Sequence, residues 1–237
     1  MKPLRIALAV PALLFSACAF AQTVGNGVSR EDSRQVEDFD GVSVSQGLKA
    51  QVKVGPKEVR VSGDENLVAL VRTEVVDGKL VVRLEKNSRI RSTSGLRITL
   101  SSPKITSVEA SGGAEVEAEA SSSQAFAAEA SGGSEISVRN VDAKQLAVEA
   151  SGGAEVKLQG RAESLTVEAS GGSQVHGQDL SNLQAMTVDA SGGSQVEANP
   201  SDRVVAELSG GSTVHVNSAP SQRVVSSSGG SRVLFRK

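Results

Sequence analysis

Apolar and polar residues alternate in short runs through most of this chain. In its second half such runs flank the tripeptide Ser-Gly-Gly, as residues 146–150 and 156–158 do on either side of one copy. Alternation with a period of two residues is typical of strands that bury one face. The pattern therefore predicts an all-β protein with a strand on each side of every Ser-Gly-Gly tripeptide.

The tripeptide occurs seven times, at intervals of 18 to 21 residues. Its serines are Ser111, Ser131, Ser151, Ser170, Ser191, Ser209 and Ser228. A period near 20 residues is the signature of stacked repeats. Because glycine adopts positive φ without steric cost, the Gly-Gly pair suits a corner between two strands. A phosphate-binding loop or a nucleophilic serine is disfavoured, since strands follow the glycines and the chain has two histidines for seven serines.

Aligning the repeats places apolar residues in three columns. The first is Phe126, Leu146, Leu165, Met186 and Val204. The second is Val108, Ala128, Val148, Val167, Val188, Ala206 and Val225. The third is Val116, Ile136, Val156, Val175, Val196, Val214 and Val233. Coils stacked about 4.8 Å apart share such columns as one thin core. The columns predict a parallel β-helix with about 20 residues per coil, right-handed by the general preference of parallel crossovers.

Residues 28–104 lack Ser-Gly-Gly but still alternate, so we expect an irregular N-terminal β region that caps the β-helix. A short helix is predicted after Asp64 as its N-cap, and residues 77–79 are typical of a hairpin turn. Residues 105–237 form the repeat region. We expect the two regions to make one continuous domain.

The first 21 residues have the features of a secretory signal peptide. Lys2 and Arg5 precede an apolar run, and a small-x-small site ends at Ala21. The segment Phe-Ser-Ala-Cys, ending at Cys18, is similar to the cleavage box of lipoproteins. Cleavage after Ala21 and lipidation of Cys18 are therefore alternatives. With either alternative, the protein is exported to the periplasm or the cell surface. A membrane-spanning helix needs about 20 consecutive apolar residues, and no later segment of the sequence has such a run.

The cysteine count and the charge balance exclude several kinds of partner and site. Cys18 is the only cysteine, so cleavage after Ala21 would exclude disulfides and cysteine-ligated zinc. Without Lys2 and Arg5 the chain has 23 basic and 27 acidic residues, and residues 105–175 hold 11 acidic against four basic ones. An acidic repeat surface repels phosphates, which excludes nucleic acid as a partner.

The order of motifs resembles that of one bacterial family. Three segments carry the resemblance: RQVEDFDGVSVSQGLKAQVKVG at residues 34–55, VRVSGDENLVALVRTEVVDGKLVVRLEK at 59–86 and LRITLSSPKITSVEASGGAEV at 96–116. In these segments the chain is similar to the family called putative auto-transporter adhesin, head GIN domain. The resemblance implies an exported, often lipid-anchored β-helical protein of the bacterial envelope. It brings no catalytic residues with it.

Outward positions of the repeats supply two acidic columns. The longer one consists of Glu109, Glu129, Glu149, Glu168, Asp189 and Glu207. The shorter one consists of Glu115, Glu135 and Glu155, continued by Gln174 and Gln195. Two carboxylates about 5 Å apart repel by roughly 1 kcal/mol in water. Bound cations would relieve this repulsion, and calcium suits such oxygen ligands. The alternative is a solvated acidic face.

A further outward column contains His176, Glu197 and His215 in three consecutive coils. These side chains are of the types that bind zinc or copper, so they form a second candidate metal site, with chance placement as the alternative. No other cofactor is expected.

Repeated polar faces on a rigid rod favour a non-catalytic envelope protein that binds a protein or glycan partner in an adhesin-like manner. One alternative is a polysaccharide-active β-helix enzyme, a lyase or a hydrolase. Such an enzyme needs a basic cleft and usually aromatic platforms, whereas the repeats are acidic and the chain has no Trp or Tyr. The other alternative is an envelope scaffold that self-associates edge to edge. The sequence favours the non-enzymatic interpretation.

Overall fold

The computed structural model describes residues 22–91 and 95–236. The predicted signal peptide, residues 1–21, and the lipidation candidate Cys18 lie outside the described residues. Strands make up most of the described chain, and its only α-helix is a single turn. The prediction of an all-β protein is therefore confirmed.

The N-terminal region and the repeat region differ in how regular their strands are. The elements of the N-terminal region are β1 (Ser29–Ser33), β2 (Gly41–Ser45), β3 (Lys49–Val54), β4 (Glu58–Asp64), α1 (Glu65–Val68), β5 (Val71–Val76), β6 (Lys79–Leu84) and β7 (Arg97–Ser102). Those of the repeat region are β8 (Ser107–Ser111), β9 (Glu115–Glu119), β10 (Ser123–Ala130), β11 (Glu135–Ala150), β12 (Glu155–Ala169), β13 (Gln174–Ser181), β14 (Ala185–Ala190), β15 (Gln195–Ala198), β16 (Arg203–Leu208), β17 (Thr213–Val216), β18 (Gln222–Ser227) and β19 (Arg232–Phe235).

The strands that precede the Ser-Gly-Gly corners stack in parallel on β2 and β6 of the N-terminal region, in the order β6, β2, β8, β10, β11, β12, β14, β16, β18. The strands that follow these corners form a second parallel stack on β3 and β7, in the order β7, β3, β9, β11, β12, β13, β15, β17, β19. The long strands β11 and β12 belong to both stacks. The chain is thus a β-solenoid of about 6 turns with repeats ~20 residues apart, which confirms the predicted parallel coils. Their right-handed winding stays a prediction.

The three predicted apolar columns form the core except at the last coil, where Val225 is 43% exposed and Val233 is only partly buried. Leu146 pairs in register with Phe126 and Leu165, and all three are at most 2% exposed. In the third column Ile136 lies between Val116 and Val156, and these residues too are buried. Because every coil contributes one residue per column, the core is a narrow band that runs along the whole solenoid axis.

Antiparallel strands surround the N-terminal end. β5 pairs with β6, β4 with β7, and β1 with β4, while α1 buries Leu67 and Val68. The helix begins after Asp64 as predicted, although the Asp64 side chain makes no capping hydrogen bond. The predicted hairpin is confirmed, since Asp77 and Gly78 have φ of 50° and 76° between β5 and β6. The parallel pairs β2–β8 and β3–β9 stack this region directly on the first repeat.

Each Ser-Gly-Gly corner contains two consecutive residues with positive φ, for example 65° at Gly192 and 81° at Gly193. A Cβ on Gly192 would lie 2.9 Å from the backbone nitrogen of Gly171 in the preceding coil. A Cβ on Gly193 would meet no atom within 4 Å. The first glycine is therefore needed for conformation and for close stacking, and the second for conformation alone.

A second bend, which the sequence pattern did not reveal, lies within β11 and β12. The register between them shifts between Val138 and Val141, where Asn140 has a φ of 58°. Gly160 faces this bend, and a Cβ there would lie 2.2 Å from the Val141 carbonyl oxygen. Each bulge redirects the chain, so one long strand serves two sides of the coil.

Candidate functional site

A groove of about 410 Å³ runs parallel to the solenoid axis beside the Ser-Gly-Gly corners. One wall consists of Glu109, Glu129, Glu149, Glu168 and Asp189, and the other of Ser111, Ser131, Ser151, Ser170 and Ser191. The alanines between each acidic residue and its serine point into the core, so backbone forms the floor. Carboxylates and hydroxyls therefore recur along the groove once per coil.

We call the longer acidic column the carboxylate ladder; it comprises Glu109, Glu129, Glu149, Glu168, Asp189 and Glu207. Its members are direct register partners in successive coils, as Glu149 is of Glu129 and Glu168. Asp189 likewise pairs with Glu168 and Glu207. The structure thus places all six residues in one outward line, as the alignment of the repeats predicted.

Only the first rung of the ladder has a cationic partner among the described residues. Lys79, on β6, forms an ion pair with Glu109. The other five carboxylates have no ion pair with any Lys, Arg or His side chain in residues 22–91 and 95–236. Stacked like charges repel, so this side of the solenoid presents uncompensated negative charge to solvent.

The shorter acidic column is neutralised within the protein. Lys49 forms an ion pair with Glu115, and Lys157 Nζ lies 2.7 Å from Glu135 Oε1 and 3.0 Å from Glu155 Oε1. Hydrogen bonds from its ammonium group to Glu135 and Glu155 raise the pKa of Lys157. The two acidic columns look alike in sequence, yet within the described residues the carboxylate ladder has an internal cation only at Glu109.

The histidine column is also in register, with Glu197 between His176 and His215. His176 Nδ1 lies 3.8 Å from Glu197 Oε2, and its Nε2 lies 3.4 Å from Glu155 Oε1. Within the described ranges, no three His, Cys, Asp or Glu side chains are arranged to hold a metal ion. Cation binding at the carboxylate ladder or at His176, Glu197 and His215 stays a prediction.

The sequence patterns did not reveal that a buried serine directly follows four of the seven Gly-Gly pairs. Ser134, Ser173, Ser194 and Ser212 are at most 2% exposed. Ser173 Oγ donates to the Ala150 carbonyl oxygen at 2.9 Å, and Ser194 Oγ donates to that of Ser191 at 2.7 Å. Only Ala or Ser occupies this position at all seven corners, a restriction that could have revealed it. These hydroxyls hydrogen-bond to backbone carbonyl groups and so stabilise the corner.

Neutralising one rung of the carboxylate ladder should stabilise the protein. Glu168 lies between Glu149 and Asp189, so Glu168→Gln removes two repulsions and should raise the free energy of unfolding by up to about 1 kcal/mol at low salt. The gain should shrink at high salt because ions screen exposed charges. Urea unfolding at two salt concentrations measures both effects.

Glu155→Gln is the matched control, because Glu155 is paired with Lys157. This substitution should give no gain, or a loss of about 0.5 kcal/mol, at low salt. Equal effects of the two substitutions would contradict the distinction between the paired and the unpaired column.

The fold and the groove define a class of protein: a parallel β-solenoid with a polar face built from its repeats. A family model identifies the family. The chain belongs to the family described as putative auto-transporter adhesin, head GIN domain, whose model matches residues 38–220. The resemblance noted in the sequence is therefore confirmed. No curated protein matches the sequence significantly.

Solved structures share the fold at low sequence identity. A putative adhesin from Bacteroides fragilis has a TM-score of 0.84 and 17% identity, over 90% of this chain and 99% of that one. A putative adhesin from Parabacteroides merdae has a TM-score of 0.66 and 16% identity, over 91% and 99% of the two chains. A putative lipid binding protein from Parabacteroides distasonis has a TM-score of 0.70 and 14% identity, over 92% and 100%. These likenesses show the fold alone.

Membership of an adhesin family is typical of exported or surface proteins that bind a partner. In the part of the chain that the structure describes, no helix is long and apolar enough to span a membrane.

Proposed function

We propose that this protein is a non-catalytic, adhesin-like envelope protein that binds an extended basic polypeptide segment in the groove. The observation that carries the proposal is the run of four groove-lining carboxylates from Glu129 to Asp189, which lack cationic partners within the described residues. A ligand that supplied positive charges along its length would relieve the repulsion between rungs. Part of the binding free energy would then come from relief of a charge repulsion that is present in the free protein.

The groove also suits an extended backbone. The ladder presents a charge about every 4.8 Å, the spacing of stacked strands. Opposite the ladder, the corner serines are half-buried, except for the exposed Ser170, and they offer hydroxyls that both donate and accept hydrogen bonds. An extended peptide has backbone amides and carbonyls to match them. Lysine and arginine side chains of such a segment would reach the carboxylate wall.

A polypeptide is favoured over a glycan because no aromatic side chain lines the groove and the chain lacks Trp and Tyr. The same lining argues against a polysaccharide-active enzyme. Among the residues that the structure describes, no Lys, Arg or His lines the groove, so this lining offers neither positive charge for an acidic polysaccharide nor a histidine base. This lining therefore supports binding of a ligand rather than catalysis.

Export is part of the proposal. Residues 1–21 serve as a signal peptide, and the mature protein acts in the periplasm or at the cell surface, where basic segments of envelope proteins are available. Mass spectrometry of the mature N-terminus distinguishes the two forms. Cleavage after Ala21 leaves Gln22 first, whereas lipidation leaves an acylated Cys18.

Binding of a fluorescent oligolysine tests the groove. We expect saturable binding that weakens as salt is added, because the contacts are ionic. The double substitution Glu149→Gln with Glu168→Gln removes two adjacent rungs and should weaken binding about tenfold, since each lost contact contributes about 0.7 kcal/mol.

The matched control removes two carboxylates from the paired column, Glu135→Gln with Glu155→Gln, in neighbouring coils. It changes the net charge equally and should leave oligolysine binding within about twofold of the unsubstituted protein. A loss of similar size in both double variants would show a general charge effect and contradict a groove site. A glucosamine oligomer that bound more tightly than oligolysine would overturn the choice of a polypeptide ligand.

A further inference from the structure

The C-terminal coil leaves the solenoid core partly uncovered. Among the described residues, β18 pairs only with β16, and β19 only with β17. Val225 continues the second apolar column but is 43% exposed, whereas its register partner Ala206 is 1% exposed. An edge of this kind, with free backbone groups and exposed apolar residues, is a template for pairing with another chain.

One residue of this coil breaks the apolar pattern. Arg223 is the register partner of Val204 and so occupies the first apolar column, where the preceding coils have Phe, Leu, Leu, Met and Val. Its guanidinium lies over the ring of Phe235, with Cζ 4.2 Å from the ring centroid. Its Nε donates to the Pro220 carbonyl oxygen at 3.1 Å. These contacts hold the side chain across the uncovered end.

We infer that Arg223 is an inward-facing charge that prevents end-to-end association of the solenoid. This inference is independent of the groove and its ligand. A second chain that added a strand to β18 would have to bury the guanidinium without a partner carboxylate or remove it from Phe235. Two copies meeting through the same end would also bring Arg232 and Arg236 of each chain together. The arginine thus makes it unfavourable for a second chain to stack on this edge, even though the edge has backbone groups that could pair with it.

The variant Arg223→Val tests the inference because it restores the apolar column at the last coil. Light scattering over a range of concentrations should show one-chain mass for the unsubstituted protein. Arg223→Val should rise to the mass of two or more chains at high concentration. Arg232→Val is the matched control: Arg232 lies on the same edge but in an outward column, next to Thr213, so its loss should leave the mass at one chain.

A second substitution distinguishes strand pairing from nonspecific aggregation. The N–H of Gln222 donates to the Asp202 carbonyl oxygen, and that of Ser228 donates to the Leu208 carbonyl oxygen, both on the side of β16. Because N–H groups alternate between the two sides of a strand, the N–H of Val225 points to the open side. Adding Val225→Pro to Arg223→Val removes that donor from the edge. The double variant should return to one-chain mass.

The inference would be overturned by assembly of the unsubstituted protein, or by one-chain mass for folded Arg223→Val at all concentrations. Arg223→Thr, which also carries a β-branched side chain, repeats the test if Arg223→Val does not fold. Failure of both variants to fold would likewise overturn it, because Arg223 would then be needed for folding.

Discussion

Replacing Phe126 with alanine is expected to lower the free energy of unfolding by about 4 kcal/mol, the usual loss for a fully buried phenylalanine. Phe126 is 2% exposed and begins the column that continues through Leu146. The core is one narrow band, so few residues are available to fill the cavity left in that coil. Urea unfolding followed by circular dichroism measures the change.

Phe235→Ala removes the same atoms from the other end of the repeat region and serves as the control. Phe235 is only partly buried and is covered on one side by Arg223. Its loss should lower the free energy of unfolding by about 1 kcal/mol, most of it from the contact with the guanidinium and from partial burial. Equal losses at the two positions would contradict a core that is closed at Phe126 and open at Phe235.

Gly192→Ala is expected to cost about 3 kcal/mol of stability, because two penalties combine at this position. Alanine is disfavoured at a φ of 65°. Its Cβ would also approach the backbone nitrogen of Gly171 to 2.9 Å and the Gly171 Cα to 3.4 Å. Backbone atoms cannot rotate away, so neighbouring coils must separate and lose hydrogen bonds.

Gly193→Ala carries only the first penalty, since no atom lies within 4 Å of the added Cβ. It should cost about 1 to 2 kcal/mol. The difference between the adjacent substitutions isolates the contribution of close stacking at the corner. A larger loss at Gly193 than at Gly192 would show that the corners are not held by contact between successive glycines.

The repeat made the fold predictable. Val148 pairs in register with Val167 one coil later, at the same distance from its Ser-Gly-Gly corner. The spacing of these corners therefore fixes which residues pair between coils. The alternation then decides which side faces the core. For these reasons the three columns, the parallel stacking and the order of the carboxylate ladder followed from the sequence.

Features that depend on single contacts were not predictable in this way. The sequence shows two acidic columns, but which of them is neutralised depends on where Lys49 and Lys157 place their ammonium groups. The bend near Asn140 is set by a bulge without a repeated sequence motif. The buried hydroxyl of Ser173 replaces the Ala154 methyl at the same position, so only the restriction to small residues marks the site.

Carbodiimide crosslinking of oligolysine to the full chain, followed by peptide mass spectrometry, tests the central claim most directly, because it joins an amine to whichever carboxylates it contacts. The groove predicts crosslinks at Glu129, Glu149, Glu168 and Asp189, and few at Glu135 and Glu155. Crosslinks concentrated on the paired column, or spread over all exposed carboxylates in proportion to their accessibility, would contradict the assignment of the groove as the binding surface.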